Sequence, residues 1–338
     1  MYKNIKDKNE PRRTKNDQNS SVSSRDSNYF SVSLFVLQPE IVHDFRVYLK
    51  QGDRYVLYTK EKETFSESLK ERLYNNGIET VYIPYTQQEN YENYMFKNLG
   101  KILDNDQIPN NVRSQILLDI SSQEINKIFQ DISLLSNDKA INDLYKIVDS
   151  SLNFLSYDDS LRNIGKLVSH DYMTYSHCLH VFVYTTAMMQ RCQYDHQMII
   201  DAGVGSMLHD IGKSLIPLKI LNKPGKLNAE EWALIKNHPV YGLRLCAGLN
   251  FSSLVLNCIL FHHERYDGNG YPSGIYGENI PYPVRILTCC DVYDALTSDR
   301  PYAKAEKPYQ AIAIMNEDMK GCFDSEVLKD FILMLGNM

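Results

Sequence analysis

No run of about eighteen apolar residues occurs in this 338-residue chain, which argues against a membrane-spanning helix. The N-terminus lacks the basic, apolar and small-residue order of a secretory leader. Basic residues are not in surplus: 36 Lys and Arg stand against 42 Asp and Glu, for a net charge of −6. That balance gives no electrostatic case for binding a nucleic acid polymer. The seven cysteines show no CxxC spacing and sit in apolar contexts, so they read as reduced core thiols of a cytoplasmic protein. No internal repeat is visible. What is present is 43% hydrophobic residues, enough for a sizeable core, and an ordinary 23% of charged ones.

Composition divides the chain. Residues 1–29 are rich in Lys, Arg, Asn, Asp and Ser and nearly lack aliphatics. They cannot bury enough surface to offset ordering entropy, so they read as a disordered, mildly basic tail, with a partner-docking arm as the sharper alternative. Residues 30–105 read as a small α+β module. Its strands are expected at 30–37, 55–58 and 80–84, and a helix at 65–73 stops near Gly77. Its one histidine, His43, has no catalytic company, and Tyr82, Tyr85, Tyr91 and Tyr94 read as packing or interface residues. A sensory or dimerising role is open. Residues 106–155 read as a helical linker in which Ile141, Leu144, Ile147, Val148, Leu152 and Leu155 follow three-four spacing. The same stripe would also serve as the seam of a homodimer. Residues 156–338 read as almost entirely helical, with Asn228 capping a helix that carries Glu231 in its first turn. The fold class expected is therefore mainly α, a helical C-terminal domain behind a small α+β module.

The chemistry gathers in that last segment. His209 and Asp210 are adjacent, and on a helix neighbours point about 100° apart, so both reach one site only if it lies between them. His262 and His263 form a second adjacent pair, costly to bury unless each ring finds partners. Asp291 ends the apolar run 284–290. Repeated imidazoles and carboxylates of this kind suit a metal centre, where a carboxylate can bridge two cations.

In order and spacing this half of the chain resembles the HD-GYP domains, the branch of HD metal-dependent phosphohydrolases that acts on cyclic di-GMP. The resemblance covers roughly residues 172–302. It runs through HDIGK at 209–213, the block at 237–242 containing His238 and Pro239, HHERYDGNGYP at 262–272, and the block at 291–302. HD alone is weak; the four blocks together are specific. The resemblance implies that His177, His209, Asp210 and Asp291 hold one metal, that His238, His262 and His263 hold a second, and that Asp210 bridges them. The expected ions are two divalent cations, iron or manganese, although the affinity order alone does not choose. Relatives with a third metal carry a Glu just upstream of the first histidine. The window 170–176 has none, so two metals are expected, with Asp171 the nearby carboxylate. His43, His170, His180 and His196 have no motif around them and read as ordinary core or surface residues.

The activity so implied is hydrolysis of cyclic di-GMP to linear pGpG, and perhaps onward to GMP, by a hydroxide activated between the metals. Asp210 and Lys213 are the catalytic candidates, Lys213 neutralising a phosphate oxygen one turn after His209. Lys213, Tyr271, Asp294 and Arg300 form the substrate side, with Asp294 read as steadying a ligand more than acting as one. The glycine-rich 268–272 stretch reads either as a rigid loop positioning the histidine pair or as a lip over substrate. The alternative is a cyclic di-GMP receptor with little turnover that signals through protein partners. A nucleotidase acting on other phosphoesters fits the GYP segment less well. The family also links the loop to diguanylate cyclases of the GGDEF type.

Overall fold

The computed structural model of the protein describes residues 28–167, 174–223, 225–299 and 304–337. Residues 1–27 of the expected tail, together with His170, Asp171 and Arg300, lie outside the described residues. Tyr29, assigned to the tail from composition, opens a strand. The chain divides into two compact units between Tyr91 and Glu92.

The first unit is built on a four-stranded antiparallel sheet in the order β1 (Tyr29–Ser33), β6 (Thr80–Pro84), β3 (Val47–Gln51), β4 (Arg54–Thr59). Alternation sorts its residues: Val32, Val47, Leu49, Val81 and Ile83 are buried on the inner face. Tyrosines gather on the other face, where Tyr29 stacks on Tyr55 at 4.2 Å and Tyr82 meets Tyr55 edge-on at 5.1 Å. The strand expected over 30–37 stops at Ser33, because the Ser33 hydroxyl accepts the Phe35 N–H at 3.3 Å and starts a 3-10 turn at Leu34–Val36. β2 (Val42–His43) and β5 (Glu63–Thr64) form a separate two-stranded ladder. Helix α1 (Glu67–Asn75) begins at an N-cap, with Ser66 Oγ accepting from Leu69 N.

Helix α2 (Gln88–Lys97) crosses the unit boundary. The second unit continues with α3 (Leu99–Leu103), α4 (Asn110–Gln130), α5 (Asp138–Leu155) and α6 (Asp158–Leu167). The stretch read as a linker lies inside this unit: the α5 stripe Ile141, Leu144, Ile147, Val148, Leu152 and Leu155 is buried, and α5 packs on α4, α7 and α8. Here α7 is Thr174–Arg191 and α8 is His196–Leu208. Every residue from Ile199 to Leu208 is buried, so α8 is the central rod. Two glycines let its neighbours close in. A Cβ on Gly203 would meet Val148 Cγ1 at 2.7 Å, and one on Gly205 would meet Cys258 Cβ at 2.6 Å. Around α8 stand α12 (Ser253–Phe261) and α13 (Tyr282–Thr297), with α7 packed on both α8 and α13.

Shorter or outer helices follow: α9 (Leu218–Leu221), α10 (Ala229–Lys236), α11 (His238–Cys246) and α14 (Pro308–Ala313). The last is α15 (Ser325–Asn337). Asn228 and Glu231 form the expected capping box at the start of α10, each side chain accepting from the other's backbone N–H. The chain is mainly α behind a small sheet module, as its composition and periodicity indicate. Among the described residues no helix is long and apolar enough to cross a membrane.

Candidate metal centre

Three of the histidines arrive by one device. A helix leaves its last carbonyls without intrahelical partners. His209 follows α8, His262 follows α12, and His238 follows the end of α10. Each turns its Nδ1 back to the carbonyl three residues earlier: His209 to Ser206 at 2.7 Å, His238 to Ile235 at 2.8 Å, and His262 to Ile259 at 2.9 Å. Nδ1 therefore donates and holds the proton, so Nε2 of the neutral ring carries a lone pair. His177, on α7, is anchored differently: its Nδ1 donates to Asp294 Oδ2 at 2.6 Å.

These Nε2 atoms converge. His238 and His262 bring theirs to 2.9 Å of each other, and His177 and His209 to 3.3 Å. Asp210 stands between the pairs. Its Oδ2 is 3.6 Å from His209 Nε2 and 3.8 Å from His177 Nε2. Its Oδ1 is 3.1 Å from His238 Nε2 and 3.8 Å from His262 Nε2. Asp291 sends Oδ1 to His177 Nε2 at 2.9 Å and Oδ2 toward His263 Nδ1 at 3.6 Å. The result is two groups able to hold a metal ion, His177–His209–Asp291 and Asp210–His238–His262–His263. The seven residues proposed from sequence as ligands thus meet in one place.

Asp210 Oδ1 is fully buried and has no hydrogen-bond donor, since His238 Nε2, 3.1 Å away, carries a lone pair in the neutral ring whose Nδ1 holds the proton. A buried carboxylate oxygen beside two facing imidazole lone pairs is an arrangement that costs several kcal/mol unless a positive charge sits among them. The residues fit metal binding.

Electrostatics agree. Burial holds His209, His262 and His263 below their ordinary value, with His263 pushed down to about 3. They are neutral donors at pH 7. Burial alone would raise Asp210 and Asp291, but Lys213, His209 and His238 overcome it at Asp210, and His177, His263 and His209 at Asp291, so both stay ionised. His177 is lifted to about 9: burial lowers it, and hydrogen bonds to Asp291 and Asp294 more than reverse that. Without metal this ring therefore holds the proton that a cation at Nε2 would displace.

Around this set, Lys213 Nζ lies 2.5 Å from Asp210 Oδ2, reached from the 3-10 turn Ile211–Leu215. A Cβ on Gly212 would sit 2.0 Å from the His238 carbonyl and 2.5 Å from Gly242 N, so backbone rests directly on backbone where this turn meets α11. The loop after His263 folds back on the histidine pair, with Tyr271 N donating to His263 O at 3.2 Å and the Tyr271 ring 4.8 Å from that of His263. Gly270 permits this, since a Cβ there would lie 2.4 Å from Arg265 N.

The substrate-side expectation for Asp294 is corrected. Asp294 is 1% exposed, and both its oxygens are engaged, Oδ2 by His177 and Oδ1 by His180 Nδ1 at 2.8 Å. It orients a ligand from behind. Sequence reasoning missed His180 and Glu264. The signal for His180 was its spacing: His177 and His180 on α7 match Asp291 and Asp294 on α13, one turn apart in each case. Glu264 is buried and its Oε1 accepts from Ser273 N at 2.6 Å and Gly274 N at 3.0 Å, pinning the loop. Cys178, next to His177 on α7, also comes close to His209 and Asp210.

A family model described as HD domain matches residues 148–327, more than half of the chain. A cyclic di-GMP phosphodiesterase of Pseudomonas aeruginosa is 39% identical over 187 residues, covering 55% of this chain and 45% of that protein. A 3'3'-cGAMP-specific phosphodiesterase of Vibrio cholerae is 35% identical over 163 residues, covering 48% of this chain and 35% of that protein. The chain thus spans less than half the length of either relative. A solved HDG"Y"P protein from Bdellovibrio bacteriovorus shares the fold at a TM-score of 0.65 and 21% identity, covering 91% of this chain and 100% of that one. With the HD domain model spanning its metal-binding half and HHERYDGNGYP at residues 262–272, the chain belongs to the HD domain family, in the HD-GYP branch.

Proposed function

We propose that the chain is a phosphodiesterase that opens cyclic di-GMP to linear pGpG. The observation that carries this reading is the pair of donor groups sharing Asp210, one carboxylate oxygen facing each. Its relatives named above bear the names of cyclic dinucleotide phosphodiesterases, which supports the substrate class. Two divalent cations held there, iron or manganese by their mixture of imidazole and carboxylate donors, would supply a water that ionises near neutral pH and a Lewis acid for a phosphoryl oxygen.

The chain's own residues do the rest. The imidazoles of His209, His262 and His263 stay neutral at pH 7 and keep their lone pairs for ligation. Lys213 presents an ammonium beside Asp210, where it neutralises a non-bridging phosphate oxygen as charge develops. Tyr271 stays protonated, since burial and then Asp291 raise its pKa, so its hydroxyl can donate to a substrate oxygen. One P–O bond to a ribose 3'-oxygen breaks, water's oxygen joins the phosphorus, and the 3'-oxygen leaves with a proton.

The test is metal content and turnover on one anaerobically purified sample. About two iron or manganese ions per chain with conversion to pGpG is the expected result. Bound metal and tight cyclic di-GMP binding without turnover would replace the enzyme by a receptor.

A further inference from the structure

The phosphodiesterase reading seats one phosphate of a cyclic dinucleotide at the centre and leaves the other half of the ligand to be held elsewhere. Beside Tyr271, on α10, stand Trp232 and Lys236, one helical turn apart. Trp232 is the single tryptophan of the chain and is 47% exposed, on a helix with no buried residue. Lys236 Nζ lies 5.9 Å from the Trp232 ring centre and 5.3 Å from that of Tyr271. Elsewhere in this half of the chain Lys223 pairs with Glu231 at 2.6 Å, and Lys213 stands beside Asp210 at the candidate centre. Lys236 has aromatic faces and no carboxylate within 4 Å among the described residues. Trp232, Lys236, Tyr271 and His263 therefore form a continuous lip ending at the candidate centre.

We propose that Trp232 and Lys236 form an outer subsite that receives a guanine base of the cyclic dinucleotide, the indole stacking on the base and the ammonium meeting its O6 and N7. The inference rests on the phosphodiesterase reading and adds the base preference to it. A phosphate would use the ammonium but has no use for the ring beside it, whereas a base uses both. Guanine offers two acceptors on that edge; adenine places an amino donor where guanine has O6, and an ammonium there is repelled.

Trp232 is also its own reporter. In the full-length, metal-loaded protein, cyclic di-GMP should quench the single indole's fluorescence saturably and cyclic di-AMP should bind more weakly. Lys236→Met should raise the dissociation constant and KM for cyclic di-GMP about tenfold, leave kcat unchanged, and bring the two dinucleotides to similar affinity. Lys236→Arg should restore the preference. Hydrolysis of bis(p-nitrophenyl) phosphate, which has one phosphate and no purine, should be the same in all three proteins. Equal losses for both dinucleotides would overturn the base assignment and give Lys236 to phosphate. Loss on bis(p-nitrophenyl) phosphate would overturn it by showing damage at the centre. No change in either affinity would overturn it outright. If the unsubstituted protein neither binds nor hydrolyses any cyclic dinucleotide, the phosphodiesterase reading itself fails, and the subsite falls with it.

Discussion

Both units bury histidines, and they differ at one nitrogen. In the first unit His43 is fully enclosed, its Nδ1 2.6 Å from Phe45 O and its Nε2 3.4 Å from Thr59 Oγ1. In the second unit His262 is as deeply buried and its Nδ1 is tied down in the same way, but its Nε2 faces the Nε2 of His238. The first ring is complete within the protein. The second is complete only with a cation. Burial of a polar side chain is thus no sign of function by itself; what separates the two sites is a donor atom oriented by the fold and left with nothing of the protein's to meet.

The strongest way to break the comparison is His209→Ala with Asp210→Ala. It removes one ring and the carboxylate that faces both groups. Metal analysis should find both groups depleted, hydrolysis should fall at least about a thousandfold, and helical circular dichroism should be retained. Normal turnover would sink the metal mechanism. Asp294→Asn is a finer cut, since it keeps the shape behind His177 and removes the charge. Metal affinity should fall roughly 10- to 100-fold at the His177 group, read by titrating metal into stripped protein.

Acid should separate the sites in the metal-free protein. His209, His262 and His263 all titrate below an unfolded histidine's value of about 6.5. The unfolded chain therefore binds more protons, and stability falls as pH drops from about 6.5 toward 3. His177 runs the other way: raised to about 9, it adds stability below about 6.5 that is lost as pH climbs through 9. Denaturant melts across pH should show a maximum between these flanks, and added metal should flatten the acid side. The smallest effect belongs to a histidine with no role in either core. His196 pairs with Asp149 at 2.7 Å on an exposed surface, so His196→Ala should cost about 1 kcal/mol or less by thermal denaturation and leave metal content untouched.

Much of the centre was legible because HD, HP, HH and the lone Asp291 each carry their neighbours with them, and those blocks fold to one point. What was not legible depends on which helix faces which. Asp294 was read from its place three residues after Asp291 as steadying a ligand, yet was also grouped with the substrate side. Only the packing of α13 on α7 shows that it points to His177 and His180. His180 had no motif to mark it for the same reason. In the first unit, β3 escaped notice because Val47, Tyr48 and Leu49 give too short an alternation to register alone. It exists as half of a hairpin that turns at Gly52. The Ser33 hydroxyl ended β1 early by a local contact that hydrophobic alternation does not encode.

The contact of Gly212 with the His238 carbonyl has a mechanical consequence. It joins the turn carrying Asp210 to the start of α11 by main chain alone, with no flexible side chain between. The span from the Asp210 oxygens to the His238 ring is then a property of the polypeptide scaffold, as a gauge block is of its steel. Ions of unequal radius must conform to that span, so substitution at Gly212 should show first as altered ion preference, before any loss of the ligands themselves.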